Sequence, residues 1–552
     1  MKFEIKRADA SARAGKFGEF DTPAIIHHEE LRGFLERAGI DIPKFMPSFS
    51  VPPPEKLSEG LVHPQKIEFT ESQLAVICAS GFMDGRGREL FETMERVKRE
   101  FRPNTAIYLP ALATPENISL LFFLGADFFD DLRCLSSAMK GEYLLKEGSF
   151  QISEIENLPC SCPVCSSHTP DELRDDWKLL HAHNFNALWN ELEVAKLFFR
   201  RGMLREYISK QCRNSPWLTV VLRLYDSSEF YDRRVPIRRT SKFYANSSDE
   251  LRRAEVRRFA QRVLERWTPK SKILLLLPCS ARKPYSLSQT HQKISKALGA
   301  LRRCVDELII TSPLGIVPRF LETVYPAMHY DIPVTGRWDE EERKWASELL
   351  REFCEIYRYE RVLAYLSGDY LEVCRASEIE IEYFESLEEL KEELEKEIEF
   401  QRPPSIKRYL MNHIISIADY QFGRGSGERL TENAEVRGKY PKLQVVSEGS
   451  VLCTIQEDGL LTLTVRGAER LRGNEGYTVL IDDFIPTGSI LSPGILEAGE
   501  EILSGDDVLF ENSRVFGVGR ALMCSEDMMR CSYGVAIAVR GKVVRDEGEG
   551  SR

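Results

Sequence analysis

A chain of 552 residues is too long for one hydrophobic core, and its length predicts three or four domains. With 43% hydrophobic and 29% charged residues it is globular, and a net charge of −11 excludes a uniformly basic nucleic-acid binder while leaving room for a local basic face. No apolar run reaches the roughly 18 residues a membrane helix needs, and the N-terminal MKFEIKRADASARAGKFGEF lacks the apolar core of a signal peptide, so the expectation is a cytoplasmic protein with no membrane partner.

Residues 1–150 alternate short strand-like runs (LAVICAS, TAIYLPAL, ADFFD) with helical stretches such as 86–100, which predicts βα units. Residues 171–210 read as helices, including the periodic DWKLLHAHNFNALWNELEVAKLFFRRG. Between Arg233 and Lys272 there are 13 Lys/Arg against 4 Asp/Glu. Arginines there, with Tyr244, Phe259 and Trp267 interleaved, suit phosphate contact with some stacking, or else form a solvated helix face. Strand-then-helix alternation returns over 272–375 (KILLLLP, VDELIIT, RVLAYL) and predicts a second α/β unit. ESLEELKEELEKEIEF at 385–400 is a charged helix expected to close it as a solvated element, and QRPPS reads as a linker. Residues 440–545 break into short β-runs separated by Gly, Pro and Asp, as small barrels do. The resulting fold class is multidomain α/β plus all-β, with domains at 1–228, 229–400, 401–472 and 473–546.

Thirteen cysteines form no obvious disulfide framework, being odd in number and scattered except for LPCSCPVCSSH. Cys160, Cys162 and Cys165 there can take three corners of a tetrahedron, and zinc wants a fourth ligand. His183 supplies it in this reading, with His181 and His168 as competitors. Four protein ligands leave no open position, so the zinc would be structural; three reduced cysteines in a loop is the plainer alternative.

C-x-C-P-x-C followed by a helical L-x-x-x-H-N resembles the zinc site of tRNA-guanine transglycosylases, the archaeal ones in particular. YLPALATPENISLLFFLGADFFDD and NELEVAKLFFRRGMLREYISKQC also resemble segments of that family, so the similarity covers roughly residues 1–225. It implies a (β/α) barrel-type domain in which Asp130 matches the nucleophile that attacks ribose. The family's Asp-Ser-Gly-Gly-Phe-Gln segment, its Gly-Gly-Leu-Ala-Val-Gly loop and its Thr-Arg pair are absent, and the chain ahead of Asp130 is too short for a full barrel. The implied domain is therefore shortened and inactive in base exchange, with Asp130 as a strand-end carboxylate or a remnant tRNA contact.

At the other end, VLIDDFIPTGSILSPGILEAGEEILSGDDVLFENSRVFGVGRALM followed by GVAIAV resembles the PUA domain, a small RNA-binding pseudobarrel. Gly488, Pro493 and Gly494 would shape its RNA-facing loop, and Gly505, Asp506 and Gly517 fit tight turns. IADYQFGRGSG and EDGLLTLTVRGAERL resemble the small α+β domain that precedes PUA in archaeal transglycosylases, and tRNA is the partner this implies.

ILLLLPCSARKPYSLSQTH at 273–291 is a buried strand running into a loop, and α/β sites lie beyond the carboxyl ends of strands. Cys279 sits there. Arg282, Lys283 and a following helix N-terminus favour its thiolate, a strong nucleophile. Ser286 or Ser288 can cap that helix, and Ser288 and His291 can share a face, with His291 available as acid or base. A core cysteine before a turn is the competing reading. Pro278, Cys279, Lys283, Pro284, Tyr285, Ser288 and His291 match at every fixed position the signature P-C-x3-K-P-Y-x2-S-x2-H of archaeosine synthases, and TSPLGIVPRFLETVYPAMHYDIPVTGRW also resembles that family. The resemblance extends over essentially the whole chain.

It implies action on archaeal tRNA carrying 7-cyano-7-deazaguanine at position 15, with conversion of the nitrile towards the formamidine of archaeosine. Cys279 would add to the nitrile carbon as a thioimidate, and an amine would then displace it. Lys283 or His291 would protonate the imide nitrogen, with Ser288 and Tyr285 completing the catalytic group. Asp331, Asp369 and Arg282 are candidates for substrate binding. The donor is lysine, or glutamine-derived or free ammonia. The chain has no recognisable glutaminase or radical-SAM motif, which points to a free amine and a radical-SAM partner enzyme; a homodimer is a further expected partner state. Two rival readings are a non-catalytic tRNA-binding subunit and an active transglycosylase using Asp130.

Overall fold

The computed structural model describes residues 1–40, 56–333, 337–398 and 402–545. It divides into a first unit, Met1–Val235 with Arg530–Gly534, and a second that starts at Pro236 and resumes at Val535. The expected boundary at 400/401 and the expected end at 546 lie outside the described residues.

The first unit opens with an antiparallel meander, Phe3–Asp9, Ala12–Phe17 and Phe20–Thr22. A five-stranded parallel sheet follows, in the order Ala24–Ile26, Phe128–Asp130, Ala106–Tyr108, Leu74–Ile77, Leu61–Val62. Three of its strands are short runs buried throughout (LAVI, AIY, FFD), as parallel strands covered on both faces must be, while the edge strand Ala24–Ile26 is partly exposed. The helix Gly87–Glu100 turns Leu90, Phe91, Met94 and Val97 inward at helical spacing and crosses between two of these strands. Five strands rather than eight agree with the shortened barrel-type domain. The early strand Ala24–Ile26 lies beside Phe128–Asp130, pairing Ile26 with Asp130, so the ends of both strands meet at one edge. Beyond the hairpin Glu142–Leu145/Gly148–Gln151, a capping box between Thr169 and Glu172 starts the helix Pro170–Asp175. Asp176 then caps the long helix Trp177–Arg200.

The second unit centres on a sheet ordered Gly315–Pro318, Asp306–Thr311, Ile273–Pro278, Arg361–Ala364, Glu382–Tyr383. All pairs are parallel except the antiparallel edge strand Gly315–Pro318. Ile273–Pro278 is the middle strand and is buried up to its last residue. The helix Leu387–Glu397 is not merely solvated: Leu390 and Leu394 face the core beside Ile273, Leu275 and Leu277, because its leucines recur at i and i+4. The helix Ile406–Phe422 is buried from Met411 onward. It is followed by a four-stranded antiparallel meander spanning Glu435 to Leu463. A six-stranded sheet, Ser489–Leu491, Val535–Val544, Val515–Ala521, Asp507–Glu511, Thr478–Ile481, Ile495–Ala498, forms the pseudobarrel.

Two further expectations are corrected. The arginine-rich segment does not present a stacking stripe: Phe259 and Trp267 are 0% and 3% exposed in the core. The helix Ala254–Arg266 uses Val256, Phe259, Ala260 and Val263 as its inner face. The arginines flanking that face are taken up internally, Arg253 by Glu250 and Glu255, and Arg266 by Glu501 and the Tyr420 carbonyl. Gly517 lies mid-strand rather than in a turn. A side chain there would collide with the Phe510 ring at 2.3 Å and the Gly541 carbonyl at 2.6 Å, so it serves close strand approach. Gly505, at φ +93°, does occupy a turn.

Candidate active site and metal centre

Cys160, Cys162, Cys165 and His183 come together with all ligand atoms within 4.8 Å of one another. Zinc–sulfur bonds of about 2.3 Å and zinc–nitrogen bonds of about 2.0 Å place tetrahedral ligand atoms roughly 3.5–3.8 Å apart. His183 Nδ1 lies 3.6 Å from Cys162 Sγ and 3.2 Å from Cys165 Sγ, so the donor set fits such an ion. The other ring nitrogen faces the Leu144 carbonyl at 3.1 Å and must carry the proton, leaving Nδ1 as the donor. Tyr143 stacks on the imidazole with centroids 3.7 Å apart. Asn184 bonds the backbone of Leu144 and Glu142, both at 2.9 Å, and fixes the strand against this helix. Burial pushes His183 down to about 4, so it stays neutral, and burial pushes Cys165 up to about 12. A thiol held as Cys165 is keeps its proton until a cation replaces it. Of the competitors, His168 bonds the Val164 carbonyl and His181 turns towards Asp131.

Asp130 ends its strand wholly buried, accepting from Tyr108 Oη at 2.6 Å, Ala111 N at 2.9 Å and Leu132 N at 2.9 Å. Burial raises it to about 6. Held this way, its carboxylate is fully committed to protein donors and 0% exposed.

Cys279 follows the middle strand of the second sheet, at the carboxyl edge where the neighbouring strands end in Thr311 and Ala364. Its Sγ lies 3.1 Å from the Tyr370 hydroxyl, on the first turn of the helix Asp369–Ala376. Tyr370 meets Trp338 edge-on at 5.4 Å, and the Asp369 carboxylate accepts from Trp338 N at 2.6 Å. Asp369 thus anchors the segment that carries Tyr370. Lys283 Nζ sits 3.8 Å above the Tyr330 ring. Burial lowers its pKa, opposed by the charges of Cys279 and Asp331. Tyr330 is held from below by the Tyr285 hydroxyl at 2.7 Å and by Thr311. Tyr285 is therefore a buried support for the Lys283 platform. Arg282 and Asp331 are exposed.

Ser288 caps the helix Gln289–Leu298, accepting from His291 N at 3.3 Å. His291 is engaged at both nitrogens: Nε2 donates to the Pro278 carbonyl at 2.9 Å, and Nδ1 accepts from Arg319 at 2.7 Å. Burial and the adjacent Arg319 cation lower it to about 4. The structure makes His291 a brace on the peptide leading into Cys279. Beneath the loop, Arg319 also bonds Glu307 at 2.5 Å and Glu322 at 2.8 Å, and Glu322 accepts from Ser286 N at 2.9 Å. Tyr370, Tyr330, Arg319 and Glu322 were not singled out from the sequence. The one available signal was PRFLET, whose Arg and Glu stand three apart.

Four family profiles match the chain: queuine tRNA-ribosyltransferase over residues 64–216, a domain of unknown function (DUF5591) over 256–398, the patch-forming domain C2 of tRNA-guanine transglycosylase over 412–475, and the PUA domain over 481–543. The chain is 43% identical over 500 residues to the archaeosine synthase subunit alpha of Methanosarcina acetivorans, covering 86% of this chain and 80% of that protein. It is 35% identical to the archaeosine synthase of Haloferax volcanii, covering 84% and 81%. It is 30% identical to the archaeosine synthase subunit alpha of Thermoplasma acidophilum, covering 88% and 92%. No helix among the described residues is long and apolar enough to cross a membrane.

Proposed function

The chain belongs to the archaeosine synthase family, and on that premise we propose that Cys279 is the nucleophile of a tRNA-modifying amine transfer. The substrate is tRNA bearing 7-cyano-7-deazaguanine at position 15, and the pseudobarrel supplies part of the RNA contact. The Cys279 thiolate adds to the nitrile carbon, forming a C–S bond, while the nitrile nitrogen takes a proton to give a thioimidate. An incoming amine then adds to the same carbon, loses a proton and displaces the thiolate, leaving an amidine.

The observation that carries this reading is Cys279 at the carboxyl end of the middle strand, with the Tyr370 hydroxyl 3.1 Å from Sγ and the Lys283 cation perched beside it. Between the two proton donors the sequence left open, the geometry favours Lys283. Its ammonium carries a proton that burial makes easier to release, whereas His291 has both nitrogens committed. Ser288 and Tyr285 act by shaping the loop and the Tyr330 platform. Arg282 and Asp331, both exposed, suit contact with RNA and with the donor amine respectively. Cys160, Cys162, Cys165 and His183 hold zinc as a structural ion, tying the loop to the helix Trp177–Arg200. The name subunit alpha borne by two relatives supports a separate partner that completes the reaction.

The test is to supply nitrile-bearing tRNA with lysine, glutamine or ammonium in turn and analyse the nucleosides by mass spectrometry. Without donor, a covalent protein–RNA adduct should accumulate on Cys279. Normal turnover by Cys279→Ala would sink the mechanism and leave the tRNA-binding-subunit reading in its place.

A further inference from the structure

Three of the nine histidines in this chain converge on one carboxylate in the first unit, and none of them belongs to either centre described above. Asp131 Oδ2 lies 2.8 Å from His28 Nδ1, 3.1 Å from His181 Nε2 and 3.4 Å from His27 Nε2. Its other oxygen, Oδ1, is taken by His28 N at 2.7 Å. The donor atoms of His27, His28 and Asp131 all lie within 4.8 Å of one another. We propose that His27, His28 and Asp131 form a second metal centre, binding a divalent first-row transition ion such as zinc or cobalt, with His181 bonded to the Asp131 carboxylate.

Three observations support it independently of the reading of Cys279. A carboxylate oxygen has two lone pairs, so Oδ2 can accept from two imidazoles and leaves the third nitrogen without a partner of its own. A cation shared by His27, His28 and Asp131 gives that nitrogen a partner, with His181 still bonded to the carboxylate. Second, Asp131 precedes the helix Leu132–Met139 at the position where an aspartate ordinarily caps the free N–H groups, and it makes no such bond. Asp130 accepts from Leu132 N instead, which releases the Asp131 carboxylate towards the histidines. Third, the cluster stands where the paired strands Ala24–Ile26 and Phe128–Asp130 end, the edge at which barrel-type folds assemble their chemistry.

The donor set selects the class of ion. Two imidazoles and one carboxylate suit borderline transition metals, whereas magnesium and calcium want all-oxygen shells. The cluster is also open on one side: the Asp131 side chain is fully buried, but those of His27 and His28 are 34% and 27% exposed. Three protein ligands leave a fourth position open, so this site retains room for a water or a substrate oxygen.

The full chain is stripped with chelator and reloaded with zinc, and the bound metal is counted by mass spectrometry after gel filtration. Two ions per chain are expected, falling to one in His28→Ala/His181→Ala while the cysteine cluster keeps its ion. Loading with cobalt separates the centres, since only the cysteine site gives thiolate charge-transfer absorption. If the double variant fails to fold, His27→Gln provides the reading by competition with a chromophoric chelator, with the second ion bound at least about tenfold more weakly. One ion per chain at saturating zinc, two ions persisting in the double variant, or unchanged affinity in His27→Gln would each overturn the proposal.

Discussion

Replacing Arg319 by methionine would remove the cation beneath the motif loop without opening a large cavity. Arg319 is 5% exposed and serves three partners: Glu307, Glu322 and His291. Glu307 keeps Arg302, which grips it at 2.8 and 2.9 Å. Glu322, 1% exposed, keeps only neutral donors, Ser286 N at 2.9 Å and Tyr440 Oη at 2.7 Å. Burial pushes the Glu322 carboxyl up, and the Arg319 charge, together with the hydrogen bonds from Ser286 and Tyr440, outweighs it and holds the group below the usual carboxylate range. Losing the arginine strands a buried anion, which costs about 3–5 kcal/mol, a large part of the roughly 5–15 kcal/mol that holds a typical domain. Glu322→Gln removes the charge, keeps an oxygen for Ser286 N, and offers an amide N–H that the Tyr440 hydroxyl can accept. The double variant Arg319→Met/Glu322→Gln should therefore be at least about 1 kcal/mol more stable than the sum of the single losses predicts. Because the two units need not unfold together, the assay is hydrogen exchange read on peptides of the strand Asp306–Thr311. Single losses that add to within about 0.5 kcal/mol would refute the claim that Arg319 is what keeps Glu322 charged.

Tyr370→Phe should slow adduct formation about tenfold or more, the value of one hydrogen bond to a charged sulfur, as measured by quenched-flow analysis of the protein–RNA adduct. An unchanged rate would remove Tyr370 from the chemistry. Because burial and the Arg319 charge hold His291 neutral down to about 4, it takes up no proton between pH 5 and 8. His291→Gln should therefore lower the rate without moving the pH–rate profile in that range, and a displaced acidic limb would restore His291 as the proton donor. Asn184→Ala strips the Leu144 amide and the Glu142 carbonyl of their side-chain partner, and it should speed metal loss from the cysteine cluster to a chelator by about ten- to a hundredfold.

What could be read from the sequence was local. ILLLLP announces a buried strand, PCSARKPYSLSQTH puts its chemistry within a few residues of the strand end, and CSCPVC carries its own ligand spacing. Tyr370 lies 91 residues from Cys279 and reaches it only because parallel strands deliver their following loops to one edge. Arg319 and Glu322 read as ordinary charges in a turn until the fold closes over them. His27 and His28 are a bare pair after a short strand. Nothing in their spacing points to Asp131, about a hundred residues away, because the strand pairing that unites them is non-local. The basic segment misled for the converse reason: composition counts arginines but does not reveal which face of a helix the core claims.

The helix Trp177–Arg200 presents His181 to one cluster and His183 to the other. Two residues advance a helix by about 200°, so a single rod keys two loops on nearly opposite sides. Its rotational phase is therefore shared. Slipping one residue into the helix ahead of His181 would turn both imidazoles by about 100° and unseat the pair together. An insertion here would thus be felt as one lesion with two symptoms, and the clusters can change their ligands singly but can lose their alignment only jointly.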